Sequence, residues 1–175
     1  MRINLTELLT REGKAKDYSV QLEESCFDMP EGVYEAVDVR PVILHIEHAS
    51  NRVLHVSGRA ELALMIPCSR CLEPVKVPFS IPLESVLDMN MTEEERIADL
   101  NEQSYLQGYN LDVDQFVRSE LLLNLPMKVL CREDCRGICN RCGANLNYET
   151  CGCDRSSPDP RMSVIQDIFK QFKEV

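Results

Sequence analysis

Between residues 37 and 89 the apolar positions follow the short period of β-strands. The runs 42–46 (VILHI) and 52–57 (RVLHVS) read as strands, with 48–51 (HASN) as the hairpin turn between them. The second run continues through 60–66 (AELALMI), and Gly58 is its natural bulge or bend point. Beyond Cys71 comes a second alternating stretch, 75–87 (VKVPFSIPLESVL), interrupted by Pro78 and Pro82. At that spacing the two prolines strip N–H donors from one side of a strand, which marks a sheet edge. Cys68 and Cys71 therefore fall in the turn of a hairpin.

Helical periodicity takes over elsewhere. Residues 112–125 form the best internal helix, capped by Asp112 or Asp114. Phe116, Val117, Glu120, Leu121 and Asn124 fall on neighbouring turns, Leu122, Leu123 and Leu125 widen the apolar side, and Pro126 stops it. Residues 127–130 then run as a short extended segment into Cys131. Thr92 and Glu95 have the spacing of a capping box for a short helix, and 4–9 reads as a helical turn capped by Asn4 ahead of a strand at 18–22. Asp159-Pro160 opens a last, amphipathic helix with Ile165, Ile168, Phe169 and Phe172 on one stripe. That stripe suits core or metal-lobe packing better than a membrane anchor, because few basic residues flank it.

These elements predict an α+β fold. It comprises an antiparallel, partly barrel-like β-sheet with a packed helix, a C-terminal zinc-knuckle or ribbon lobe, and the terminal amphipathic helix. The division is a β-rich body over 1–126, with an acidic excursion at about 90–110, and a cysteine-rich lobe with the last helix over 127–175. The two are expected to form one integrated domain.

Composition narrows the function. The 175 residues carry a formal net charge of −10, which argues against broad electrostatic adhesion to nucleic acid or an anionic membrane. Any RNA contact is confined to a local basic patch. Residues 84–120 hold ten acids against two arginines, a solvated face or a docking surface for a basic protein. The opening residues, MRINLTELLTREGK, lack the apolar core of a secretory signal, and no apolar run reaches membrane-span length. A cytoplasmic protein is expected.

Cysteine spacing then supplies the chemistry. Six of the nine cysteines crowd into 131–153 (CREDCRGICNRCGANLNYETCGC), and Cys68 and Cys71 form a separate C-x2-C. Such clusters hold a metal, form disulfides or run thiol exchange. In a reducing cytosol, C-x2-C followed by Gly143 points to metal, and thiolate donors favour zinc or an iron–sulfur cluster. Eight clustered cysteines fit two four-cysteine structural sites. One partition pairs Cys139 and Cys142 with Cys151 and Cys153, leaving Cys131 and Cys135, one turn apart if helical, to join Cys68 and Cys71. The other groups Cys131, Cys135, Cys139 and Cys142 locally. We favour the first, which fastens the hairpin to the tail. Lone Cys26 reads as a buried structural thiol. His45 and His55 can face each other across their hairpin, but as cross-strand polar residues rather than ligands.

Taken together, C-S-R-C-L-E-P after a strand, Asp112-x-Asp114 opening a helix that ends in Leu-Pro, C-x3-C-R-G-I-C-N-R-C-G-A-N-L-N, C-x-C and D-P-R carry a likeness. Over about residues 15–172 the chain resembles the YceD-type family of large ribosomal RNA subunit accumulation proteins, in its cysteine-rich version. The resemblance implies a cytoplasmic protein needed for normal accumulation of large-subunit (23S) rRNA, metal-binding, and without catalytic residues. The matching cysteines are Cys68, Cys71, Cys131, Cys135, Cys139, Cys142, Cys151 and Cys153.

The expected function is a non-catalytic ribosome-assembly factor whose partners are large-subunit rRNA, a basic ribosomal protein, or both. Neither a membrane nor a small-molecule substrate is expected. Arg70, Lys76, Lys128, Arg132, Arg136 and Arg141 are the candidate RNA contacts, because knuckle backbones bring such side chains close to phosphates. Equally, they can serve only to balance thiolate charge. The alternative is a protein-interaction module that uses the acidic face and never touches RNA. An enzyme is disfavoured, because all-cysteine sites are closed whereas catalytic zinc keeps an open position.

Overall fold

A computed structural model describes residues 1–30, 32–98 and 103–153. The expected terminal helix at 159–173 lies outside the described residues. One strand, β6 (Val53–Pro67), organises the body. It pairs antiparallel along its whole length with β7 (Pro74–Asp88). On its other side it meets β5 (Val42–Ser50) over its first half and β4 (Gly32–Val37) near its end. β2 (Ala15–Val20) extends the sheet beyond β5, and β3 (Cys26–Met29) extends it beyond β4. Among the described residues β2, β3 and β7 each pair with a single neighbour, so the sheet stays open instead of closing into a barrel. β7 is an edge, as its two prolines require.

Alternation drives burial. Val42, Leu44 and Ile46 of β5 and Ile81, Leu83 and Leu87 of β7 point into one aliphatic core. That core is roofed by α2 (Val113–Asn124) and a small sheet of β1 (Arg2–Asn4), β9 (Asn110–Asp112) and β8 (Leu106–Gln107). The Asp112 carboxylate caps α2 by accepting the Gln115 N–H at 3.3 Å. Phe116 packs on Tyr105 with ring centroids 4.6 Å apart. The short helix α1 (Glu93–Ala98) begins in the expected capping box: Thr92 N–H donates to Glu95 Oε2 at 2.7 Å, and Glu95 N–H donates back to Thr92 Oγ1 at 3.3 Å.

Several expectations are corrected. The helical turn read over 4–9 is present only in part: the Leu8 and Leu9 N–H groups donate to Leu5 O at 3.0 and 3.3 Å, and Asn4 Oδ1 accepts the Thr6 N–H at 3.0 Å. Asn4 closes β1, where it pairs with Asn110, and only a 3₁₀ turn at Leu8–Thr10 follows. The 42–57 hairpin turns on Asn51 and Arg52, both left-handed (φ 49 and 60), because a two-residue loop of that hand matches strand twist. Gly58 marks no bulge, since the register runs through it and shifts instead between His48 and Ser50. Leu122 and Leu123 face outward, leaving α2 a narrower inner stripe of Val113, Phe116, Val117 and Leu121. Cys26 is exposed rather than buried, because strand alternation turns its neighbour Phe27 inward.

Candidate metal centres

Two copies of one local turn lie at the heart of the cysteine-rich region. In the first, between β6 and β7, the Leu72 N–H donates to Cys68 O at 2.9 Å and the Cys68 N–H to Glu73 O at 2.8 Å. In the second, the Gly143 N–H donates to Cys139 O at 2.9 Å and the Cys139 N–H to Ala144 O at 2.8 Å. Both turns need a left-handed residue after the second cysteine. Gly143 (φ 75) takes that conformation freely, whereas Leu72 (φ 63) takes it under strain.

The first turn gathers the segment that follows α2. Ser69 N–H donates to Val129 O at 2.8 Å, and Val129 N–H donates to Ser69 Oγ at 3.1 Å. Arg70 reaches further. Its guanidinium donates to Cys135 O at 2.7 Å, and its carbonyl accepts the Ile138 N–H at 3.1 Å. Gly137 (φ 77) is required here, because a Cβ would lie 3.0 Å from Arg70 O. Residues 131–135 form a turn rather than the helix their spacing allowed. Cys131 and Cys135 still reach the hairpin.

The sulfurs of Cys68, Cys71, Cys131 and Cys135 all lie within 4.8 Å of one another, and so do those of Cys139, Cys142, Cys151 and Cys153. In the first group Cys71 and Cys131 are 3.5 Å apart, and Cys68 and Cys135 are 3.9 Å apart. A disulfide needs about 2.05 Å. Four thiolates around one ion at about 2.3 Å span tetrahedral edges of roughly 3.8 Å. The two groups thus have the composition and spacing of four-coordinate metal sites, and their membership follows the partition that fastens the hairpin to the tail.

The thiols within each group differ in how readily they ionise. Burial raises the Cys68 thiol, but the backbone N–H groups of Arg70, Cys71 and Cys131 outweigh it and bring the thiol down to about 6. The Asn147 side-chain amide lowers Cys135. Burial, together with the sulfurs of Cys71 and Cys135, pushes Cys131 up to about 12. In the second group the N–H groups of Cys142 and Arg141 bring Cys139 down to about 6, while the Cys142 sulfur and then burial push Cys153 up to about 12. Within each group some thiols are thus held below their ordinary value and others above it, the pattern of close sulfurs that cannot all ionise without a cation to balance them.

Sequence reasoning missed the side chains that join the two groups. Asn147 Nδ2 donates to Cys135 Sγ at 3.3 Å, and its Oδ1 accepts the Arg136 N–H at 2.8 Å. Asn145 and Tyr148 both donate to the Glu73 carboxylate, at 3.2 and 3.1 Å. A pair of asparagines in the knuckle loop, GANLN, was the available signal. It was weak, because their partners lie far off in sequence.

The candidate RNA contacts fall into two sets. Arg70 is engaged with the Cys135 carbonyl and Lys76 with Asp38, while Arg132 makes an exposed ion pair with Asp134 at 3.6 Å. Lys128, Arg136 and Arg141 are exposed, with no side-chain hydrogen bond or ion pair among the described residues. The histidines do not converge: His45 opposes Ser57 and bonds Asp17, His55 opposes Glu47, and His48 is buried with Nδ1 on Arg11 O. Within the acidic stretch Asp112 caps a helix and Asp114 is buried, whereas Glu84, Glu94 and Glu95 are exposed.

An open antiparallel sheet whose longest hairpin shares a four-sulfur centre with the tail, beside a second such centre within the tail, makes this a cysteine-pinned α+β fold. The chain belongs to the family described as large ribosomal RNA subunit accumulation protein YceD, whose model matches residues 56–169. It is 27% identical over 126 residues to an uncharacterised protein of Mycobacterium tuberculosis, covering 72% of this chain and 60% of that one. It is 25% identical over 112 residues to the uncharacterised YlbN of Bacillus subtilis, covering 63% of each. A shorter match, 28% identical over 64 residues, covers 37% of this chain and 20% of the chloroplastic large ribosomal RNA subunit accumulation protein YCED homolog 1 of Arabidopsis thaliana. The chain therefore matches less than two thirds of the length of these relatives. No solved structure matches it. Among the described residues no helix is long and apolar enough to cross a membrane.

Proposed function

We propose that this chain is a non-catalytic factor supporting accumulation of large-subunit (23S) ribosomal RNA, through a zinc-stabilised surface that binds rRNA, a ribosomal protein or both. Cys68, Cys71, Cys131 and Cys135 hold one ion, and Cys139, Cys142, Cys151 and Cys153 hold the other. Four thiolates satisfy zinc's preferred coordination, so neither ion retains an open position for activating water. The ions act by pinning chain segments. A structural zinc contributes on the order of 10–16 kcal/mol of apparent binding free energy, enough to fix the residue 127–153 lobe on the sheet as part of one domain.

One observation supports this reading above others: the segment that leads into and joins the two clusters carries Lys128, Arg132, Arg136 and Arg141, each of them exposed. These four are the proposed phosphate contacts, while Arg70 and Lys76 serve the scaffold. Family membership supports the ribosomal setting, and the family's name describes an accumulation factor rather than an enzyme. The alternative is a purely protein-binding acidic face, for which Glu84, Glu94 and Glu95 remain exposed while Asp112 and Asp114 are engaged in the fold.

Elemental analysis of protein purified without added metal is expected to give two zinc ions per chain. Pull-down from bacterial lysate, with and without nuclease, then assigns the partner. Loss of ribosomal RNA and proteins on nuclease treatment supports direct RNA contact, and retention of a basic ribosomal protein supports the protein surface. A metal-free, compact chain that captures no ribosomal component defeats the proposal.

A further inference from the structure

The loop 143–150 lies between Cys142 and Cys151, so its ends are drawn together when the second cluster closes. Yet its side chains serve the first cluster. Asn147 donates to Cys135 Sγ at 3.3 Å, and Asn145 and Tyr148 hold Glu73, whose carbonyl accepts the Cys68 N–H at 2.8 Å. Asn147 is itself set by Asn145, whose Oδ1 accepts the Asn147 backbone N–H at 3.0 Å and its amide at 2.9 Å. A single loop therefore closes one cluster and braces both ends of the other.

We propose that the two clusters load metal as one cooperative unit, with Asn147 as the positioning residue that couples them. The inference rests on the metal-binding reading above. An N–H bond to a coordinated thiolate draws charge from the sulfur and stabilises its ionised form. That bond forms only when the loop is ordered, and an ion in the second cluster orders it. Linkage makes the coupling reciprocal: whatever the second ion adds to affinity at the first cluster, the first adds at the second. Hydrogen-bond partners beyond the ligands are typically worth about 10–100-fold in metal affinity, which sets the expected size.

The test uses the full chain, zinc and a competing chelator, with bound metal counted by native mass spectrometry. The wild type is expected to pass from two ions to none with little one-ion species. Asn147→Leu should still bind two ions at saturation but accumulate the one-ion species as chelator rises. Asn147→Asp keeps the shape and the acceptor for the Arg136 N–H but loses the donor, and should behave likewise. Cys151→Ser, which breaks the second cluster, should weaken zinc at the first by about 10-fold. The same change in an Asn147→Leu background should add little. Cobalt substitution supplies a separate readout, because Asn147→Leu should shift the thiolate-to-metal charge-transfer band of the first cluster. A wild type that loses its ions independently, or Asn147 variants that match it, overturns the coupling while leaving metal binding intact. A chain that binds no zinc overturns the underlying reading as well.

Discussion

Leu72 and Gly143 hold the same place in two turns of the same hydrogen-bond pattern, with φ 63 and 75 and the same N–H bond of 2.9 Å to the first cysteine of each turn. Only glycine takes that conformation without strain. Leu72 is 64% exposed, so little packing offsets the strain. Leu72→Gly is expected to raise stability by about 1 kcal/mol, read as an upward shift of the unfolding midpoint in the metal-loaded protein. A fall of similar size would mean that Leu72 makes a stabilising contact that its exposure conceals.

Arg70 and Arg141 occupy equivalent positions in the two turns but do different work. Arg70 donates to Cys135 O at 2.7 Å, whereas Arg141 is exposed. Arg70→Ala should destabilise the metal-loaded protein by about 1–2 kcal/mol and speed zinc loss from the first cluster. Arg141→Ala should change stability by less than about 0.5 kcal/mol and weaken RNA capture instead. Chelator-competition kinetics and filter binding at matched salt separate the two.

Gly58 lies against Ile43, where an added Cβ would come within 2.2 Å of the Ile43 carbonyl oxygen. Neither strand can yield easily, because β6 is flanked on both sides. Gly58→Ala should cost about 2–3 kcal/mol, visible as a lower denaturant midpoint. An unchanged midpoint would show that β5 and β6 separate there at little cost.

The α1 capping box carries a pH signature. The Thr92 backbone N–H, then its hydroxyl, hold the Glu95 carboxyl below its ordinary 4.5. A depressed folded-state value means that the stabilisation is present above the unfolded value and is lost as pH falls through the folded one. Amide exchange at Thr92 and Arg96 should therefore accelerate below about pH 4.5, beyond the intrinsic pH dependence of exchange, and Glu95→Gln should reduce that acceleration. Identical profiles for the two proteins would rule the box out as its source.

What could be foreseen from sequence was whatever depends on near neighbours. Thr92 and Glu95 meet within one helical turn, Asp112 caps its own helix, and Pro78 and Pro82 disqualify a central strand by their chemistry alone. The union of Cys68 and Cys71 with Cys131 and Cys135 was accessible by elimination, since Cys139, Cys142, Cys151 and Cys153 pair off locally. The width of the α2 inner face was not, because periodicity gives direction but not the size of the surface it meets; Leu122 and Leu123 fell outside it. Gly58 resembled a bend because close approach of a neighbouring backbone selects the same residue as a bulge. Asn147 was hidden for a simpler reason: its sulfur partner belongs to a separate turn.

The span of the first cluster has a temporal consequence. Its cysteines Cys71 and Cys135 are 64 positions apart, whereas the second cluster is contained within residues 139–153. On a translating ribosome the hairpin thiols emerge first and wait on the order of 3–13 s for Cys135 to emerge in turn. Through that interval the nascent chain exposes a half-built pair, so if the cluster holds a metal, its supply and the thiol reductants in the cell would govern the yield before folding is complete.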